Sequence, residues 1–182
     1  SREAEIAIAR AIEQNRKRYR CSVLATANVL EAVTDRLEAL RDGKARLHDL
    51  VDVSMDDMDE KRRVRQFLAR KLSRVQKLLA QDHEDFALSC DRSQSASRRR
   101  ESLERVREHR AEAARLIERV RPKLQPMQPV LDRLEQVSRQ MADLRQQMVK
   151  LRRAGQSAKV AQVRRQLDEL IVSAQEQPES LQ

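Results

Sequence analysis

An all-α fold, an elongated coiled coil or antiparallel helical bundle with long helices, follows from two observations. The first is composition. The 182 residues are 37% charged and 2% aromatic, with no Trp, two Gly and four Pro. Such charge-rich, Gly-poor sequence builds long helices, whose buried seam is narrow and needs little aromatic bulk. The second is periodicity. Met127, Val130, Leu134, Val137, Met141, Leu144, Met148 and Leu151 fall alternately three and four residues apart, and the positions between them are mostly Arg, Gln, Asp, Glu or Ser. A stripe repeating every 3.5 residues stays on one side of a helix only when the helix winds around a partner. These eight residues are therefore expected to form a seam that binds a partner helix.

From the N-terminus, a second seam runs from Ala9 through Ile12, Tyr19, Val23, Leu30, Val33, Leu37 and Leu40, with Arg16 and Thr26 as its polar members. It predicts an amphipathic helix to about Arg41. Asp42-Gly43 then offers a stop, because Gly commonly follows a helix C-terminus and Asp-Gly is a turn pair. The same heptad frame nevertheless resumes through Leu47, Val51, Met58, Leu68, Leu72, Val75, Leu79 and Phe86. Chance preserves a frame about one time in seven. That favours one coiled-coil helix over residues 1–88, with Gly43 inside it at about 1 kcal/mol, against the alternative of a hairpin at 42–43.

Charge is segregated within this stretch. Asp49, Asp52, Asp56, Asp57, Asp59 and Glu60 form an acidic block, and Lys61, Arg62, Arg63, Arg65, Arg70, Lys71, Arg74 and Lys77 follow as a basic one. Two continuous helices laid antiparallel and crossing near Lys61 would set each acidic block against the other copy's basic block, so a homodimer centred there is one expectation. Local neutralisation by i,i+4 pairs on a solvated face is the alternative.

Between residues 89 and 100 the pattern stops in a Ser- and Arg-rich run, which predicts a hinge. Within Arg99-Arg100-Glu101-Ser102 the spacing suits a basophilic kinase, making Ser102 a candidate phosphorylation site. A third helix is expected over 101–121, with Leu103, Val106, Ala113, Ile117 and Val120 on one face and Arg110 interrupting it. Pro122, Pro126 and Pro129 mark a break or sharp kink over 122–128, with Pro129 suited to the first turn of the next helix. Over 129–176 the sequence predicts a helical hairpin. Arg152 and Arg153 suit a helix end, Gly155 the residue beyond it, and Ser157 a new start. Val160, Val163, Leu167, Leu170 and Ala174 form the returning face. Residues 177–182 are expected to fray.

No catalytic constellation appears. His48, His83 and His109 are widely separated and pair with no other ligand at helical spacing, and Cys21 and Cys90 belong to no metal or redox motif. Two Gly leave no Gly-rich phosphate cradle. Neither cofactor nor metal is expected, and the chain reads as non-enzymatic. The net charge of +9 favours an acidic partner. Its candidate contacts are Arg16, Lys17, Arg18 and Arg20, then Lys61, Arg62, Arg63 and Arg65, then Arg98, Arg99 and Arg100. With one Tyr, two Phe and no Trp, specific nucleic-acid recognition is not expected, although nonspecific RNA or DNA binding stays an alternative.

The favoured expectation is a coiled-coil structural or adaptor subunit of a larger assembly, for example on the cytoskeleton. Its seams would bind partner helices, and its Arg faces acidic surfaces such as tubulin-rich ones. Long helices, a Pro kink and an antiparallel dimer are similar in architecture to the BAR class, so a basic helical dimer that binds or shapes anionic membranes is a further alternative. No family motif accompanies that likeness. Cys21 and Cys90 suggest no disulfide framework, so a reducing compartment such as the cytoplasm is expected, and the sequence holds no bilayer-spanning run.

Overall fold

The structure, a computed structural model, describes residues 1–54 and 57–181, and among these every regular element is helical. In chain order they are α1 (Arg2–Leu24), α2 (Ala27–Arg41), the single turn α3 (Leu47–Leu50), α4 (Met58–Arg70), α5 (Leu72–Cys90), α6 (Ala96–Glu118), a 3-10 turn (Gln125–Met127), α7 (Gln128–Arg153) and α8 (Ser157–Ala174). The all-α expectation is met. The single helix over 1–88 is not: that stretch is divided among α1 to α5.

Gly43 ends α2 rather than lying within a helix. Its φ is +73°, its N–H donates to the Leu40 carbonyl at 3.2 Å, and the Lys44 N–H donates to the Ala39 carbonyl at 2.8 Å. This is a Schellman motif, in which a left-handed residue satisfies the last carbonyls of the helix. Gly155 ends α7 in the same way at φ +69°, with the Gln156 N–H donating to Leu151 at 3.0 Å. The heptad frame does not hold as one buried face beyond the break: Met58 is exposed and α4 buries Val64 and Phe67, off the frame, while α5 buries Leu72, Val75 and Phe86 on it. Gly43→Ala is expected to lower stability by about 1 kcal/mol through backbone strain alone, since a Cβ there would meet nothing within 4 Å. Urea denaturation of the variant measures this.

A second break, between α1 and α2, falls at Thr26, whose backbone is extended at φ −78° and ψ 136°. Neither Gly nor Pro marks it. Leu24, Leu30, Val33 and Leu37 from this corner pack with Val64 and Phe67 of α4, Leu72, Val75 and Leu78 of α5, and Ala113 and Ile117 of α6. Folding the chain back at these breaks buries faces that a continuous helix would leave open.

The Ser-rich hinge is a tight turn. Asp91 accepts from the Ser93 N–H at 2.9 Å and from the Gln94 side chain at 3.0 Å, and Ser95 caps α6 by accepting from the Arg98 N–H at 3.2 Å. Such local acceptors stop one helix and start the next. They fold α6 onto α5, the most extensively packed helix pair.

At the Pro-marked stretch the chain takes the break, not a kink within one helix. Helix α6 ends at Glu118, and the following segment pairs with the loop after α3: the Lys123 N–H donates to Leu50 at 2.8 Å and the Asp52 N–H to Arg121 at 3.0 Å. Pro122 lacks a donor and takes part only through an isolated bridge to Val51, which suits a residue barred from helix interiors.

Over α7 the seam is closed within the chain. Met127 and Leu134 belong to the main core, with Val130 packed against it. Met141 and Met148 form a second cluster with Val163, Leu167 and Ala174 of α8, and Val137, Leu144 and Leu151 pack around them. The partner helix is largely α8 itself.

Candidate functional site

Two charged residues occupy apolar-frame positions on neighbouring helices, Asp82 on α5 and Arg110 on α6, and the α5–α6 hairpin sets them face to face. Arg110 Nε donates to Asp82 Oδ1 at 2.8 Å and Arg110 Nη2 to Asp82 Oδ2 at 3.1 Å, the bidentate geometry that guanidinium and carboxylate favour. The guanidinium lies 5.6 Å from the Phe86 ring centroid. It also donates to Glu176 at 2.9 Å and to the Gln175 carbonyl at 2.8 Å. Glu176 completes the set by accepting from the Ala27 N–H at 2.7 Å and from the Ser180 hydroxyl.

Glu176 thus caps the N-terminus of α2 from 149 residues away, supplying the acceptor that Thr26 does not. A carboxylate there also meets the positive end of the helix dipole. What aims it inward is Gln175, held left-handed at φ 56°. The Glu176 N–H donates to Ile171 at 3.3 Å, a Schellman closure built without Gly. Ser180 is tied to Glu176, and Leu181 packs on both apolar clusters. The expected fraying therefore does not describe residues 177–181, while Gln182 lies outside the described residues. Asp82, Arg110 and Glu176 are all buried and mutually paired, so this centre holds helices together rather than offering a reactive group.

The molecule's open surface lies on α1. Ser1 accepts from the Ala4 N–H, and Glu3 and Glu5 stand in the first turn, where the dipole favours them. At the other end Leu24 is buried in the core. Arg20 clamps the helix to the end of α6, donating to Glu118 at 2.8 Å and to the Pro122 carbonyl at 2.6 Å. Between these ends residues 1–19 are all exposed. They include Ile6, Ile8, Ile12 and Tyr19, which are 44%, 60%, 48% and 65% exposed. Tyr19 lies on the stripe that Val23 carries into the core, so the stripe continues outward along the helix without cover.

The expected basic contacts are dispersed. Arg16, Lys17 and Arg18 are exposed on α1, but Arg20 is taken up by its clamp and is a structural residue. Arg98, Arg99 and Arg100 occupy the first turn of α6, the far end of that helix from Glu118 and Arg20. About 20 residues at 1.5 Å each put some 30 Å between these two clusters. Arg62, Arg63 and Arg65 are exposed on α4, with Lys61 partly covered. Asp57 caps α4 by accepting from the Glu60 N–H at 2.9 Å; Asp49 lies in α3 while Asp59 and Glu60 open α4, and the basic block is divided between α4 and α5, so neither block lies on one helix. The pairing expected near Lys61 lacks the continuous helix it requires, and Asp56 lies outside the described residues.

Ser102 is fully buried and accepts from Arg105, which also grips Asp85. A kinase cannot reach it in this fold. Burial, with Glu118 nearby, pushes the Cys21 thiol up, and burial does the same to Cys90. Both stay protonated at neutral pH. Alkylation by iodoacetamide at pH 7 is expected to be several-fold slower than in the urea-unfolded chain and to rise with pH; equal rates would show that the thiols are exposed.

No group of three or more His, Cys, Asp or Glu among the described residues is placed to hold a metal ion, and no helix among them is long and apolar enough to cross a membrane. The cleft beside Arg110 is an open groove lined by residues such as Ser22, Thr26, Phe86, Leu103 and Arg107. Sequence reasoning singles out Arg110 only as an interruption and passes over Asp82 and Glu176. The signal for the first two is present: opposite charges at frame positions of adjacent, hairpin-linked helices. No family model, curated protein or solved structure matches the chain.

Proposed function

We propose that the chain is a non-enzymatic adaptor of coiled-coil type, a structural subunit whose helical body holds out α1 as a docking helix for a larger assembly. One observation carries this reading: residues 1–19 form helix yet none of them is buried, and Ile6, Ile8, Ile12 and Tyr19 are exposed. A helix of this length without tertiary packing is marginal in water, so a partner's apolar face completes it. The Arg- and Lys-rich turn at Arg16, Lys17 and Arg18 adds attraction for an acidic surface. Arg98, Arg99 and Arg100 add more at the start of α6, where cations oppose the helix dipole and gain by meeting an anion.

A cytoskeletal filament with an acidic surface is a target of this chemistry. Copelleting with microtubules across a salt series tests it. Binding is expected to weaken with salt and to fall at least about tenfold in a Lys17→Glu, Arg18→Glu variant. Binding that ignores both changes, or none at low salt, removes the filament reading. The exposed Ile residues and Tyr19 beside cations also suit an anionic membrane surface, and flotation with anionic but not neutral liposomes would favour that alternative.

A further inference from the structure

We propose that α1 pairs antiparallel with α1 of a second copy of this chain. The inference rests on the reading of α1 as a docking helix and names its partner. In the heptad frame that runs outward from Val23, the seam positions of α1 are Tyr19, Arg16, Ile12, Ala9, Glu5 and Arg2, with Ile6 and Ile8 flanking the stripe. All eight are exposed. Uncovered, the stripe is an unfinished half of a two-helix contact.

Charge decides the orientation. A parallel pair sets Glu5 on Glu5, Arg16 on Arg16 and Arg2 on Arg2, so the charged seam positions repel. Antiparallel pairing brings Ile12 of one copy onto Ala9 of the other. In that register Glu5 faces Arg16 of the second copy, and Arg2 lies over the ring of Tyr19 of the second copy. Each contact occurs twice by the two-fold symmetry, and Ile8 and Ile6 close over the central apolar layers. Three charged positions that look like faults in a seam become complementary in one arrangement.

The bodies agree with this. The exposed part of α1 is about 27 Å long at 1.5 Å per residue. Antiparallel pairing places the two bodies at opposite ends of that length, whereas parallel pairing sets two chains of net charge +9 side by side.

The test is sedimentation or light scattering on the full chain over a concentration series. The expected result is a dimer that Ile12→Asp abolishes and that Glu5→Arg or Arg16→Glu alone weakens about tenfold. Mixing these two single variants is expected to restore association. In the mixed pair the two substituted side chains face each other with opposite charge, and so do the unaltered Arg16 of one copy and Glu5 of the other. Since the substituted residues are exposed, circular dichroism of each variant should show a folded body. A chain that stays monomeric throughout overturns self-pairing and leaves the adaptor reading to the copelleting assay. A dimer indifferent to these substitutions overturns the α1 interface. Single variants that self-associate as well as the unaltered chain, with Glu5→Arg pairing more tightly with the unaltered chain than with itself, would show a parallel pair and overturn the proposal too.

Discussion

Arg110→Ala is expected to lower folding stability by about 3–5 kcal/mol. The guanidinium is bonded to both Asp82 and Glu176, and all three groups are buried. Removing it strands two carboxylates away from water without a counter-charge, with Asp82 losing two hydrogen bonds and Glu176 one. The effect should spread, because Glu176 also caps α2 and anchors the tail through Ser180. Urea denaturation gives the magnitude, and hydrogen exchange should show faster opening at the start of α2 and through residues 175–181. Glu176→Gln keeps an acceptor for the Ala27 N–H and is expected to cost less, about 1–3 kcal/mol. A loss below about 1 kcal/mol for Arg110→Ala would mean that water reaches the pair and that the tail is not docked.

The second large effect separates the two seams. Met141→Ala is expected to cost about 2–5 kcal/mol, the range for truncating a well-packed core side chain, since Met141 is fully buried between α7 and α8. Ile12→Ala, on the heptad stripe of α1, is expected to stay within about 0.5 kcal/mol for the monomer, because its side chain is already half in water. The ratio of the two values tests which stripe closes inside the chain. Comparable losses would mean that α1 packs on its own body. Exchange protection in the Met141 variant should fall first over α7 and α8, whose cluster is separate from the main core.

Much of this architecture is legible in residue order. The helical class follows from composition and period. The α7–α8 hairpin follows from Gly155, which can take the left-handed cap, and from the apolar face resuming at Val160 and Val163. The uncovered stripe on α1 is legible as a seam through Ile12 and Tyr19, although nothing in one dimension says that its outer part finds no cover within the chain. The stop at Asp42-Gly43 is legible too, but the preserved frame argues against it. A heptad frame reports which face is apolar and is silent on whether the backbone is continuous.

The sequence by itself determined that this protein is helical and charge-rich, and where α7 turns back into α8, because those properties depend on local propensity and spacing. Only the tertiary structure decided the break at Thr26, the burial of Arg110, the loss of Arg20 to a clamp and the docking of the tail. Each of these depends on a partner far along the chain: Glu176 lies 149 residues from Ala27 and Glu118 lies 98 from Arg20. A hydrogen-bond acceptor supplied from such a distance leaves no periodic trace near the donor, so only the folded chain reveals it.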